Sequence, residues 1–179
     1  MATATYVPVE EYLRTSYEPD REYVDGALVE RHVGEYDHSV LQNLIGSYLH
    51  ALRKHVPLRA FTEQRLRMTG RAGRVQYRIP DVCVMAPGHA RTPVIAEPPV
   101  LVVEILSRDD RMNEVLRKIG EYIRFGVGAI WIVDPAERNL FTADGSSLHE
   151  VKDRIGRFSC SGVELTVDFY SIFAELDEA

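Results

Sequence analysis

Cysteine, lysine and long apolar runs are all scarce in this chain of 179 residues. Its two cysteines, Cys83 and Cys160, lack the C-x-x-C spacing of zinc sites and redox motifs. We therefore expect reduced thiols in a cytoplasmic protein. No apolar run approaches the roughly 20 residues that span a bilayer. The first residues are neither basic nor apolar. We expect no membrane partner and no signal peptide.

The composition is typical of a globular protein, with 45% apolar and 27% charged residues, and predicts one domain over residues 1–179. The net charge of −6 argues against tight, non-specific binding of nucleic acid. From Arg53 to Arg78, however, eight basic residues stand against Glu63 alone. This basic segment either guides a polyanion to a nearby site or is a solvated hairpin with evenly spread charge.

The hydrophobic pattern predicts a mixed α/β domain with helices on the faces of its sheet. Glu10 and Glu11 in a first turn predict a short opening helix, and the Asp25-Gly26 pair predicts a hairpin. Two stripes of apolar residues at helical spacing, one within 36–55 and one after Asp110, predict two long helices. For the second long helix we expect a cap at Asp109 or Asp110 and an end at Gly126. Its expected buried face consists of Met112, Val115, Leu116, Ile119, Tyr122 and Ile123. The other predicted helices span 8–13, 36–55 and 169–176. The predicted strands span 22–30 (as a hairpin), 58–68, 76–85, 98–106 and 129–133, with shorter strands around Asp144-Gly145 and Gly156.

Two acidic residues interrupt consecutive apolar strands. Glu104 lies within Pro98–Leu106, and Asp81 follows Pro80 at the start of the preceding strand. A buried carboxylate is costly unless it meets a cation, a metal or several donors. Taken singly, Asp81 suits a backbone-capping role and Glu104 suits an arginine partner. Together they favour a site for Mg²⁺, with Mn²⁺ as a substitute, because hard divalent cations prefer carboxylate oxygens.

Lys118 is a third candidate, since the chain has only three lysines against eighteen arginines. It lies at the margin of the apolar stripe of the second long helix. From there its ammonium group could lean over the strand of Glu104 and stabilise a phosphoryl transition state. The alternative is a surface lysine whose stem packs on the apolar face.

These residues resemble a known family. Pro80-Asp81 followed by Glu104-Ile105-Leu106 is similar to the signature of the PD-(D/E)XK nucleases, and the αβββαβ order resembles their core. The whole chain resembles the Uma family of putative restriction endonucleases within that superfamily. The matching stretches are Glu22–Gly26, His38, Arg78–Val82, Val102–Ser107, Lys118–Tyr122, Gly126-Val127 and Trp131–Pro135.

The chain departs from the superfamily pattern at two positions. Leu106 occupies the lysine position of the E-x-K motif, and the resemblance implies that Lys118 takes over its role. Ala27 stands where the family often has Glu, so Glu22 or Glu30 would have to serve instead. The resemblance also places His38 near the site, although a histidine beside an apolar stripe is often structural. Asp134 at a strand end suits a turn.

The expected function is Mg²⁺-dependent hydrolysis of phosphodiester bonds, with DNA favoured, by a restriction-endonuclease-like mixed sheet with an N-terminal hairpin. Asp81, Glu104 and the backbone carbonyl of Ile105 would hold the metal, and Lys118 would act at the phosphate. Two alternatives remain open: a non-catalytic scaffold for binding or assembly, and a hydrolase of small phosphoesters. A homodimer would suit cleavage of two strands, although no residue requires one.

Overall fold

The computed structural model describes residues 5–31, 35–70, 73–145 and 147–178. Within these ranges four helices lie outside the sheets: α1 (Val9–Arg14), α2 (Tyr36–Ala51, continued by a 3-10 turn at Leu52–Lys54), α3 (Met112–Phe125) and α4 (Phe169–Asp177). Gly126 ends α3 with a φ of 97°, a left-handed conformation that favours glycine. None of the helices in the described ranges combines the length and apolarity that a membrane crossing requires.

A six-stranded mixed sheet forms the centre of the protein. Its strands run in the order β11-β10-β9-β8-β7-β4, and only β8 and β9 pair in parallel. Helix α3 makes the crossover between these two strands, as parallel pairing requires. The strands are β4 (Arg59–Thr62), β7 (Val82–Met85), β8 (Leu101–Ile105), β9 (Ile130–Asp134), β10 (Asn139–Asp144) and β11 (Ser147–Glu150).

The middle strands of the central sheet, β7, β8 and β9, are buried on both faces. Helices α2 and α4 pack on one face, around Leu41 and Phe169, and α3 packs on the other with Ile119. Successive side chains of β8 point to opposite faces of the sheet, so that Val103 packs on the side of α2 and α4 and Val102 packs on the side of α3. The series α2, β4, β7, β8, α3 and β9 is the expected αβββαβ order, and the predicted fold class is confirmed.

A second sheet of five antiparallel strands packs beside the first, in the order β1-β3-β2-β6-β5. It contains the predicted N-terminal hairpin, whose turn residues Asp25 and Gly26 both have positive φ. Its strands are β1 (Thr5–Tyr6), β2 (Arg21–Val24), β3 (Ala27–Glu30), β5 (Leu66–Thr69) and β6 (Val75–Arg78). A separate hairpin consists of β12 (Ile155–Cys160) and β13 (Val163–Asp168).

Two strand predictions were wrong, because each long strand is divided between the sheets. Residues 58–68 form β4 in the central sheet and β5 in the second sheet, with Glu63 at a φ of 52° between them. Residues 76–85 form β6 and β7 in the same way, with Pro80 at the break. Proline has no N–H for a strand ladder, so the chain leaves one sheet here and enters the other.

The start of α3 also differs from the prediction. Arg111 is the N-terminal cap residue and makes no side-chain capping bond. Asp110 instead accepts a hydrogen bond from the Ser107 N–H at 2.7 Å and so closes the turn before the helix. Met112 and Ile123, which were both predicted to lie on the buried face of α3, are 51% and 36% exposed, so that prediction was wrong at these two positions.

Candidate functional site

Asp81 lies at the bend between the two sheets, directly before β7. Its Oδ2 accepts a hydrogen bond from the Ile105 N–H at 2.8 Å, and its Oδ1 accepts one from Arg31 Nη2 at 2.9 Å. Val82 pairs with Val103 across the antiparallel β7–β8 ladder. One further step in this register sets Asp81 opposite Glu104, and both residues line one cleft. The structure thus brings the two acids together at one cleft.

Glu104 points from β8 towards α3. Its Oε2 accepts a hydrogen bond from Lys118 Nζ at 2.8 Å, and its Oε1 accepts one from the Tyr122 hydroxyl at 2.6 Å. Both donors lie on α3, and because they are four residues apart they share one helix face. Burial is the main cause that raises the pKa of Glu104 to about 7, with Lys118 opposing it and Asp81 adding to it.

Lys118 bridges two carboxylates. Besides Glu104, its Nζ lies 3.3 Å from Oε1 of Glu22, which projects from β2. Glu22 Oε1 also accepts a hydrogen bond from the Ile79 N–H at 2.9 Å, and Glu22 Oε2 lies 2.6 Å from Arg78 Nη1. Burial alone would raise the pKa of Glu22, but Lys118, Arg78 and the Ile79 N–H outweigh it and lower the pKa to about 2. Glu22 is therefore an ionised partner of the lysine at neutral pH.

Arg78 continues this network into the protein interior. Its Nε donates to Glu121 Oε2 at 2.7 Å, and Gln76 Nε2 donates to the same oxygen at 3.1 Å. Arg78, Gln76, Glu22 and Glu121 are all buried. Since a buried ion needs partners on every side, this arrangement holds Glu22, and through it Lys118, in one orientation.

The accessory candidates separate into two groups. His38 Nε2 lies 3.3 Å from Asp81 Oδ2. Burial disfavours the charged ring, but the hydrogen bond and charge of Asp81 outweigh it and raise the pKa of His38. His38 thus contacts Asp81 and Glu22 contacts Lys118, so both accessory residues touch the predicted set of Asp81, Glu104 and Lys118. Glu30 lies at the edge of the cleft and pairs with Arg21 at 3.7 Å. Asp134 accepts hydrogen bonds from two backbone N–H groups in the following turn, as predicted.

Sequence reasoning missed three residues of this site. Arg31, directly after β3, had no signal beyond its position at the end of the hairpin. Glu121 could have been found, because an acid one turn after Lys118 beside the apolar stripe of α3 needs a buried partner. Tyr122 was predicted to be buried, and it is, but its hydroxyl also serves Glu104.

Among the described residues of the predicted basic segment, two arginines are engaged within the protein. Arg78 is buried in the ion network, and the Arg65 guanidinium lies 4.8 Å from the ring centre of Tyr12. Arg71 lies outside the described residues. The arginines that do line the cleft beside the carboxylates are Arg31, Arg78 and Arg117, of which Arg117 is exposed.

The cleft has a volume of about 120 Å³, enough for a hydrated cation because about 10–15 Å³ suffices for one water. Its donors are hard carboxylate oxygens, and Glu104 carries a pKa raised by burial and by neighbouring acids. The carboxylate oxygens fit Mg²⁺, which takes one or two carboxylates and keeps several waters. No group of three His, Cys, Asp or Glu side chains within the described ranges is arranged to hold a metal. Any metal here would therefore rely on two carboxylates, the Ile105 carbonyl and water.

The core and the cleft together define a restriction-endonuclease-like protein. The model of the Uma2 family, described as "Putative restriction endonuclease", matches residues 9–153, and the chain belongs to this family. No curated protein matches the chain. A solved structure titled as a putative nuclease belonging to DUF820 from Anabaena variabilis ATCC 29413 is similar, with a TM-score of 0.76 and 21% identity. The match covers 95% of this chain and 99% of that one, and it shows a shared fold.

Proposed function

We propose that this protein hydrolyses phosphodiester bonds in a metal-dependent reaction, with DNA as the favoured substrate and Mg²⁺ as the metal. One observation carries the proposal: Asp81, Glu104 and Lys118 line one cleft, with Lys118 Nζ 2.8 Å from Glu104 Oε2. Membership of a restriction-endonuclease family supports the same reaction class. Free, buried Cys83 and Cys160 suit a cytoplasmic setting.

In this proposal Asp81, Glu104 and the carbonyl oxygen of Ile105 hold the metal. A bound Mg²⁺ would neutralise phosphate charge and acidify a coordinated water. The Ile105 N–H holds Asp81 Oδ2 at 2.8 Å and so directs this carboxylate into the cleft. Tyr122 does the same for Glu104 from the helix side. His38 and Glu22 are accessory residues that act on Asp81 and Lys118 respectively.

Lys118 orients the attacking water or stabilises the charge that develops on the phosphate. Its ammonium is compact and has three donors, of which Glu104 and Glu22 engage two. The third donor remains for a substrate oxygen in the cleft. Because both carboxylates raise the pKa of Lys118 against the effect of burial, the lysine is charged at neutral pH and acts as an electrostatic group.

A second candidate function is a non-catalytic nuclease-like scaffold that binds DNA or assembles with a partner. One observation favours it: each oxygen of Asp81 and Glu104 already accepts a hydrogen bond from a protein donor. Cations of the protein neutralise much of the carboxylate charge, so the cleft is stable without a metal.

The deciding experiment compares the wild-type protein with Glu104→Ala and with Glu150→Ala, which removes an acid from outside the cleft. We expect Mg²⁺- or Mn²⁺-dependent cleavage of single- or double-stranded DNA by the wild type and by Glu150→Ala alone. Calorimetric titration with Mn²⁺ should show binding to the same two proteins and none to Glu104→Ala. DNA binding by the wild type without cleavage under any metal would support the scaffold instead.

A further inference from the structure

Arg31 occupies the wall of the cleft beside Asp81. Its Nη2 donates to Asp81 Oδ1 at 2.9 Å, and its Nη1 donates to Glu63 Oε1 at 3.3 Å. The side chain of Arg31 is 15% exposed and that of Asp81 is 7% exposed, and both side chains line the cleft. A cation of the protein therefore holds Oδ1 of the proposed metal ligand.

The two oxygens of Asp81 have different kinds of partner. Oδ2 is held by the backbone N–H of Ile105, which cannot move without disturbing β8, and by His38. Oδ1 is held by the long side chain of Arg31, which can rotate away. A divalent cation at Asp81 would repel a guanidinium at this distance strongly, because water screens charges poorly in a half-buried site. Arg31 is thus the partner that a metal would displace.

A displaced guanidinium in this position would face the substrate. Glu63, its second partner, is 57% exposed and holds it weakly. Arginine presents a planar fork of donors that matches two oxygens of one phosphate. We propose that Arg31 pairs with Asp81 in the metal-free protein and becomes a phosphate-binding residue for DNA once a divalent cation takes over that carboxylate. This inference rests on the proposed function, because it assumes that the cleft holds a metal and a nucleic acid phosphate.

The proposal requires that metal binding and DNA binding strengthen each other. The metal releases Arg31 for the phosphate, and a phosphate that holds Arg31 leaves Asp81 free for the metal, so the coupling is reciprocal. Replacement of Arg31 by glutamine removes both the competing charge and the phosphate contact. Arg31→Gln should therefore bind Mn²⁺ about tenfold more tightly than the wild type and should lose the metal-dependent gain in DNA affinity.

The test uses Arg31→Gln, Arg31→Lys and a matched control. Arg157→Gln removes an equal charge from the β12–β13 hairpin, where Arg157 pairs with Asp153. Mn²⁺ affinity is measured by calorimetry without DNA. Affinity for a fluorescent DNA duplex is measured by anisotropy with Ca²⁺ or with a chelator, over a range of salt concentrations. In Ca²⁺, Arg31→Gln should lower the salt slope of DNA binding by about one, since one phosphate contact is lost, and Arg157→Gln should match the wild type.

Each measurement can overturn the proposal. Equal or weaker Mn²⁺ binding by Arg31→Gln would refute the competition for Asp81. Unchanged DNA affinity in Ca²⁺, or a wild type that binds no DNA, would refute the phosphate role. If Arg31→Gln does not fold, Arg31→Lys still tests the phosphate role, because an ammonium lacks the planar fork and should bind DNA in Ca²⁺ more weakly than the wild type does. None of these measurements depends on cleavage. A wild type that binds metal and DNA but cuts nothing would therefore contradict the proposed hydrolysis, while the binding measurements would still decide the role of Arg31.

Discussion

Replacement of Lys118 by methionine gives the most direct test of the proposed mechanism. Methionine keeps the stem but removes an ammonium that lies 2.8 Å from Glu104 and 3.3 Å from Glu22. If that charge acts at the phosphate, metal-dependent cleavage should fall by at least ~10²-fold, the loss typical of a single electrostatic stabiliser. Lys118→Arg should not restore full activity, because a planar guanidinium cannot replace a compact ammonium between two carboxylates.

The same substitution has a predictable effect on stability. Removal of one partner from a buried ion pair costs about 3–5 kcal/mol. Glu104 has a pKa of about 7 already, so at neutral pH it can take up a proton when its cation is lost. We therefore expect a loss near the lower end, about 3 kcal/mol in the free energy of unfolding. Urea denaturation at pH 7 in the presence of a chelator measures it.

Lys152→Met is the matched control, since Lys152 is exposed and pairs with Glu150 outside the cleft. It should cut DNA and unfold as the wild type does. Cleavage is followed on single-stranded and double-stranded DNA with Mg²⁺ or Mn²⁺, at a temperature where every variant is folded. An active wild type matched by an equally active, folded Lys118→Met would remove this lysine from the mechanism.

Two further predictions concern the buried acids. Burial raises the Glu104 pKa from 4.5 to about 7. Between these two pH values the folded metal-free protein retains a proton that the unfolded chain releases. The free energy of unfolding therefore falls as the pH rises from about 4.5 through 7. Glu104→Gln should remove this loss of about 3 kcal/mol, which urea denaturation across that pH range would show; equal slopes would contradict the assignment. Glu121→Ala should cost about 3–5 kcal/mol, because Arg78 loses the oxygen that its Nε contacts at 2.7 Å. Glu137→Ala is the control, because Glu137 is exposed and its removal should cost almost nothing. Similar urea midpoints for the two variants would show that the Arg78–Glu121 pair does not stabilise the fold.

The local features of the fold were predictable because short-range patterns encode them. Positive φ at Asp25 and Gly26 follows from the turn chemistry of that pair, and Gly126 ends α3 where a left-handed residue is needed. The placement of Glu104 and Asp81 on neighbouring strands was predictable in the same way, from one acid in each of two consecutive apolar runs. Their convergence in one cleft followed from antiparallel pairing of those strands.

The division of two long apolar runs between two sheets was not predictable from periodicity. The pattern continues through Glu63 and Pro80 with little interruption, and only the pairing partners of each half show that the chain changes sheet. This change matters for the site, because it places Asp81 at the bend. There its backbone carbonyl accepts hydrogen bonds from Gln42 and from the Glu63 N–H, and its side chain faces the cleft.

The sequence by itself determined the class of fold, the two acids and the lysine at the centre of the candidate site, and the turns that bound its strands, since each depends on residues close together in the chain. Only the tertiary structure decided which charges meet. Arg31 reaches Asp81 across 50 positions, and Arg78 joins Glu22 to Glu121 across 56 and 43 positions. Such long side chains adopt many rotamers in the unfolded chain, and burial beside an opposite charge selects one of them.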